Sequence, residues 1–191
     1  MNDYLLNLDP DTNYFDAQDV DVSKTVTIQE YIDLCAQDNS CLRICGQNIR
    51  SFNRNFDDFS SSFNDFLPDV MVFSETWFDE ANVQYIQNYN SFHTIRTANR
   101  SGGVSILVKN SISCQKVAQL CFANQSIEIS TVKIHLGSSS IFVLGIYRPH
   151  SDSIENFTVS LSEILDNRIF RNSTCVIIGD MDINLFLQNS S

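Results

Sequence analysis

Four polar positions in this chain each follow directly on an apolar run: Asn48 after LRICGQ, Glu75 after DVMVFS, Tyr147 with Arg148 after SIFVLGI, and Asp180 after TCVIIG. A carboxylate and an amide from separate strands can hold one hard divalent cation through oxygen ligands, with water filling the remaining positions. A second carboxylate can orient or deprotonate an attacking water, and a guanidinium can meet phosphate charge. The last of these positions opens the stretch GDMDIN (179–184), which sets Asp180, Asp182 and Asn184 on alternate residues. Those three share one face for as long as the backbone stays extended. Spacing by itself also admits a plainer reading, since Asp, Asn and Glu at strand ends commonly serve as turn formers or helix caps. Glu75, with Asp79 and Glu80 close behind, reads equally well as the start of a loop.

Chemistry at strand ends needs strands, and the hydrophobic periodicity supplies them. CLRICGQNI (41–49) reads as a strand, and behind it Phe52, Phe56, Phe59, Phe63 and Phe66 recur every three or four residues. That spacing predicts one apolar stripe of a helix, packed on a sheet and stopped by Pro68. DVMVFSETW (69–77) predicts a buried strand, and YNSFHTIRT (89–97) and GGVSILVKN (102–110) two consecutive strands. IEISTVKIHLG (127–137) and SIFVLGIYRP (140–149) predict a hairpin turning near Gly137–Ser140. Residues 151–166 predict a second amphipathic helix with Ile154, Phe157, Leu161, Ile164 and Leu165 inward, and Asp152 and Glu155 spaced as a capping box. TCVIIGD (174–180) predicts a last buried strand, and TIQEYIDLCAQ (27–37) a short helix near the start. The order is that of an α/β protein whose middle strands are mostly antiparallel, unlike a doubly wound dinucleotide fold.

Charge divides the chain in two. Residues 1–40 hold nine acids and the single base Lys24, and read as an acidic N-terminal extension. Residues 41–191 hold 14 acids and 11 bases, so the net charge of −11 does not exclude a local basic patch there. With 43% hydrophobic residues, 14 Phe and 6 Tyr, the 191-residue chain can bury one core. The six cysteines (35, 41, 45, 114, 121, 175) form no CxxC pair and no zinc spacing, and read as free, mostly buried thiols of an intracellular protein. The sequence shows no signal peptide and no run approaching the ~20 apolar residues of a membrane span.

Five segments, GQNIRSF (46–52), LPDVMVFSETW (67–77), RSGGVSILVK (100–109), GIYRP (145–149) and IIGDMDIN (177–184), together resemble the endonuclease/exonuclease/phosphatase superfamily. SETW, the GGVSILV segment and YRP make the chain most similar to the apurinic-type endonuclease domain of non-LTR (LINE-type) retrotransposon proteins. The resemblance implies a two-sheet, four-layer α/β sandwich over residues 41–191, incomplete at its C-terminus, and Mg²⁺-assisted hydrolysis of DNA phosphodiesters, with Mn²⁺ able to replace Mg²⁺. It implies that Glu75 is the principal metal ligand and that Asn48 helps position metal and phosphate. Tyr147 would contact the scissile phosphate or orient its neighbours, and Asp180 would orient or deprotonate the water. Arg148, Arg96 and Arg100 would meet the DNA backbone. In relatives of this kind the domain is fused to a reverse transcriptase, which implies a nuclear location.

Two departures from the family pattern bear on activity. The family carries Asp-x-Asn where this chain has Asp180-Met181-Asp182, which puts an anion where an amide is expected beside the phosphate. Asp182-Ile183-Asn184 does read Asp-x-Asn, so a local rearrangement would bring Asn184 into play. The family's closing Ser-Asp-His is not among these 191 residues, and His93, His135 and His150 match no position of it. The resemblance therefore implies a truncated domain with an open edge on the second sheet and little or no nicking by this chain. Its alternatives are a catalytically dead remnant or binding module of the same fold, or a phosphatase of the same superfamily.

Overall fold

The computed structural model describes residues 41–62, 67–97 and 101–183. The acidic extension, the helix expected over 27–37, Phe63, Phe66, Arg100 and Asn184 lie outside the described residues. Within them the chain runs β1 (Ile44–Asn48), α1 (Phe52–Ser61), β2 (Val70–Ser74), β3 (Tyr89–Thr94) and β4 (Val104–Lys109). It continues as β5 (Cys114–Lys116), β6 (Phe122–Ala123), β7 (Glu128–Leu136), β8 (Ser139–Tyr147), α2 (Ile154–Leu165) and β9 (Thr174–Asp180). One sheet has the order β1-β2-β4-β3; the other has β5-β7-β8-β9, with β6 also pairing β7.

Period-two alternation along the strands builds the layers. In β2, Val70 and Val72 face the second sheet, where they join Ile106, Val108, Val132, Ile134 and Val143 in a core between the sheets. Met71 and Phe73 face the other way and pack with Phe52 and Phe56 of α1. Phe52 stacks on Phe56 at 4.5 Å and meets Phe73 edge-on at 5.3 Å, so the described part of the aromatic stripe, Phe52, Phe56 and Phe59, packs in the core, on a helix that ends at Ser61. On the outer face of the second sheet, Phe157, Leu161 and Ile164 of α2 pack on Ile129, Phe142, Leu144 and Ile146. The result is the two-sheet, four-layer α/β sandwich, α1 outside one sheet and α2 outside the other.

The helices also explain the only two parallel pairings among the described strands. Parallel neighbours need a long crossover, usually a helix; α1 connects β1 to β2, and α2 connects β8 to β9. Both pairs run in register to their C-terminal ends, where Asn48 lies opposite Ser74 and Tyr147 opposite Asp180.

Several local expectations are corrected. Ile154 is 45% exposed rather than inward, because it is the first residue of α2 and precedes the face that meets the sheet. The cap of α2 is Ser153, whose side chain accepts from the Asn156 N–H. Asp152 instead accepts from the Ser126 hydroxyl, the Ser153 N–H and the Asn156 amide, so no Asp152–Glu155 box forms. The strand expected through Trp77 stops at Ser74, since Glu75 (φ 53°) and Trp77 (φ 56°) are left-handed. β9 is half-buried, not buried, because it has one strand neighbour, β8, among the described residues. Of the described cysteines, Cys41 is exposed and the others are half-buried. No helix among the described residues is long and apolar enough to cross a membrane.

Two consequences can be measured. Gly145 is a point of close approach between the sheets, since a Cβ there would lie 2.8 Å from Val72 Cγ1 and 2.9 Å from Val104 Cγ1. Gly145→Ala is expected to cost about 1–3 kcal/mol in urea denaturation through overpacking. His93 stands edge-on to Phe78 and Tyr85, with Nδ1 2.8 Å from the Ser105 hydroxyl. Burial, assisted by the nearby Lys116 charge, lowers its pKa from 6.5 to about 4. The unfolded chain therefore binds this proton more readily, and stability falls as pH drops from about 6.5 to about 4. Unfolding midpoints compared at pH 7 and pH 5 should show a smaller acid loss in His93→Gln than in the unchanged chain.

Candidate active site

Registering Asn48 with Ser74 and Tyr147 with Asp180 brings four strand ends to one mouth between the sheets. Along β1, Ile44 joins the core between the sheets, so Gly46 and Asn48, two and four residues on, face the same way. Along β9, Ile178 shares that core, and Asp180 two residues on is aimed likewise. A Cβ on Gly46 would fall 2.1 Å from Ile178 Cγ2. That closeness lets side chains of different sheets touch: Asn48 Nδ2 donates to Glu75 Oε1 at 2.8 Å and to Asp180 Oδ2 at 2.5 Å. One amide thus bridges two carboxylates far apart in sequence.

Tyr147 closes the group from β8. Its pKa is pushed up to about 12, first by burial and then by the charges of Glu75, Glu128 and Asp180. The ring is therefore a neutral hydrogen-bond donor at any working pH. Glu75 and Asp180 supply the anionic oxygens, and they are the residues able to hold a divalent cation here.

Glu75 owes its position to backbone on both sides. The β1–α1 loop donates to it through Ser51 N, 2.8 Å from Glu75 O, while Phe52 N reaches Thr76 O at 2.9 Å. From the other side Thr76 N donates to Gly103 O at 3.2 Å and Trp77 N to Gly102 O at 2.9 Å. Both glycines have positive φ, 110° and 88°, and neither has room for a side chain. A left-handed conformation costs a non-glycine residue roughly 1–2 kcal/mol, so these four hydrogen bonds hold Glu75 against its own preference.

Sequence reasoning missed Glu128, which is fully buried on β7 and faces the site from behind. Its Oε2 accepts from Gly103 N at 2.5 Å, and Arg96 Nη1 lies 3.2 Å from Oε1. That ion pair does not satisfy Oε1 with a directional hydrogen bond; the contact is coulombic. Burial pushes the Glu128 carboxyl up, the Gly103 N–H and Arg96 oppose this, and the Glu75 charge adds to it. The available signal is an acid set between isoleucines, I-E-I, on the side of the strand that continues through Val132 and Ile134.

Two of the candidate arginines turn inward. Arg96 goes to Glu128, and Arg148, 7% exposed, donates from Nε to Met181 O at 2.7 Å and from Nη2 to Asp182 O at 3.2 Å. Arg148 therefore shapes the turn after Asp180. Asp182 is not brought to the Asn48 amide. The extension assumed for residues 180–184 is broken at Asp182 (φ 46°), whose carboxylate, 63% exposed, lies 3.3 Å from His150 Nδ1 and 3.8 Å from Arg148 Nη2. Arg50, directly beyond β1, is exposed, and its N–H donates to Asn48 Oδ1.

Comparison with known proteins agrees with this architecture. No curated protein matches the chain. Among solved structures it is similar to the endonuclease domain of TRAS1, a telomere-specific non-LTR retrotransposon, at 12% identity and a TM-score of 0.59 over 75% of this chain and 62% of that one. It is also similar to a variant of the 3′ phosphatase NExo from Neisseria bound to a product DNA hairpin, at 15% identity and TM-score 0.52, over 73% of this chain and 57% of that one. A humanized D. rerio TDP2 aligns at 14% identity and TM-score 0.54, over 76% of this chain and 68% of that one. The chain thus spans about three fifths of the first two structures, and these likenesses speak for the fold. The sequence profile of the Endonuclease/Exonuclease/phosphatase family matches residues 46–187, a stretch that includes Asn48, Glu75, Tyr147 and Asp180, and the chain belongs to that family.

Proposed function

We propose that this chain carries the metal-binding and water-orienting part of a phosphodiesterase site that acts on DNA as an endonuclease does. The observation that supports it is the shared amide: Glu75 and Asp180, from strands of different sheets, both accept from Asn48. Two carboxylates on one amide offer hard oxygen donors, and no group of three His, Cys, Asp or Glu among the described residues encloses an ion. That donor set fits Mg²⁺, which is held by one or two carboxylates while keeping waters and gaining phosphate oxygens; Mn²⁺ would replace it. Bound there, the cation would neutralise phosphate charge and make water more acidic.

The chain's own groups supply the rest. Glu75 holds the cation. Asp180, at the end of β9, orients the attacking water and takes its proton. Tyr147, kept as a phenol, donates to a non-bridging phosphate oxygen and stabilises the charge that develops there. Asn48, whose amide donates to both carboxylates, would keep them in place beside the cation and help position the phosphate. The likeness to a retrotransposon endonuclease and to a DNA-bound phosphatase supports DNA as the substrate; fusion to a reverse transcriptase and action in the nucleus are proposed from the sequence resemblance alone. A second reading, a binding module of the same fold without turnover, draws on Asp182, whose anion stands where the family has an amide.

Metal binding separates the site from its absence. Mn²⁺ titration followed by electron paramagnetic resonance should show one site, weakened more than about tenfold by Glu75→Gln; equal binding by both proteins would refute the assignment. In plasmid nicking with Mg²⁺, a polypeptide of these 191 residues, which include no Ser-Asp-His, is expected to work slowly. Whatever rate it shows should vanish in Glu75→Gln and fall about 10²–10³-fold in Tyr147→Phe. DNA binding that survives Glu75→Gln, with no cleavage by either protein, would favour the binding module.

A further inference from the structure

Glu128 has no part in the chemistry proposed above, yet it is the one acid in the described residues with no exposed surface. A buried ion pair is weak evidence of stabilisation, because desolvating both charges offsets most of their attraction. Its retention calls for another reason, and the geometry points to one. We propose that Glu128, with Arg96, is a positioning residue that sets the conformation of Glu75 through the Gly102–Gly103 backbone.

The linkage is short and made of named contacts. Glu128 Oε2 accepts from Gly103 N, and Arg96 braces the other oxygen from outside. The peptide so anchored turns its two carbonyls to Trp77 N and Thr76 N, the two residues that follow Glu75. No slack exists at either glycine. A Cβ on Gly102 would stand 2.6 Å from Glu128 Oε1 and 3.0 Å from Arg96 Cδ, and one on Gly103 would stand 2.7 Å from Thr76 Oγ1. Thr76 is itself buried, 2% exposed, so its backbone cannot shift outward without opening the core. The carboxylate therefore fixes two glycines, the glycines fix Thr76 and Trp77, and these hold Glu75 at a φ of 53°. Released from that backbone, Glu75 would relax toward an ordinary extended strand, and successive strand side chains point to opposite faces.

This assignment rests on the reading of Glu75 as a cation ligand, and the test keeps the two apart. Trp77 is the chain's only tryptophan and hangs on Gly102, so its fluorescence reports the segment without any metal. Glu128→Leu combined with Arg96→Leu removes the acceptor for Gly103 without leaving an unpaired charge, an exchange that proteins often tolerate. Glu128→Gln combined with Arg96→Gln removes the same charges but keeps an acceptor. The leucine pair should shift Trp77 emission and weaken Mn²⁺ binding about tenfold, and the glutamine pair should restore both toward the unchanged chain. Ile134→Val, a core truncation away from the linkage, should lower stability and move neither signal. A folded leucine pair with unchanged emission and unchanged Mn²⁺ affinity would overturn the proposal. Should the leucine pair not fold, Gly103→Ala pushes Thr76 aside with the ion pair intact, and unchanged Trp77 emission there would overturn it equally. Absence of Mn²⁺ binding in the unchanged chain would count against the functional reading, while Trp77 emission would still decide the positioning.

Discussion

Glu75 and Asp180 repel each other, and both must nonetheless be held at the same mouth between two sheets. Bringing like charges together in a partly desolvated place raises the energy of each unless donors or a cation intervene. Asn48 intervenes with one amide placed on both. The placement is set by the sheets, since Asn48, Glu75 and Asp180 follow from β1, β2 and β9, and none can approach without the other strands of its sheet. The small residues at the seam, Gly46 under Ile178 and Gly145 under Val72 and Val104, serve the same end by letting the sheets close far enough for the amide to reach. The Tyr147 phenol, kept protonated by burial and by the surrounding carboxylates, adds no charge to the group.

The same constraint explains where strain has collected. Positive φ at non-glycine residues is uncommon, yet Arg50, Ser51, Glu75, Trp77 and Asp182 all show it around this mouth. Each lies close in sequence to a strand end or to a group that faces the site. The compensation is local: Ser51 N and Phe52 N donate to the Glu75 and Thr76 carbonyls, Thr76 N and Trp77 N donate to Gly103 and Gly102, and the Arg148 guanidinium donates to the carbonyls after Asp180. Strained residues of this kind persist only where their surroundings over-determine them, and here the surroundings do.

Much of this was legible in the residues. Asn48, Glu75, Tyr147 and Asp180 stand out because a polar group closing an apolar run is a strand-end signal, and strand ends are where the sheet delivers side chains. The aromatic stripe of α1 was legible because period and burial agree there. What was not legible depends on contacts between distant segments. Nothing around Arg96 or Arg148 announces that each guanidinium is used inside the protein, since an arginine reads as solvated until its partner is known. Glu128 hid in an apolar strand, where an acid looks like the polar side of an amphipathic pattern. Alternation puts Asp182 on the Asp180 face only if the strand continues, and its left-handed backbone and the Arg148 contacts to Met181 O and Asp182 O end that extension. β5 and β6 are too short to leave a periodic signal. Ile154 fits the helical period and fails only because α2 meets the sheet one turn later.

The two carboxylates of the site belong to strands of different standing. β2, which leads into Glu75, lies inside its sheet between β1 and β4, whereas β9, which ends in Asp180, has β8 alone beside it among the described strands. Peripheral strands open in local fluctuations that leave the interior of a domain intact. Glu75 and Asp180 are thus carried by strands with different numbers of described neighbours. Among the described strands, the pairing of β9 with β8 is what seats Asp180 beside Asn48 and Glu75.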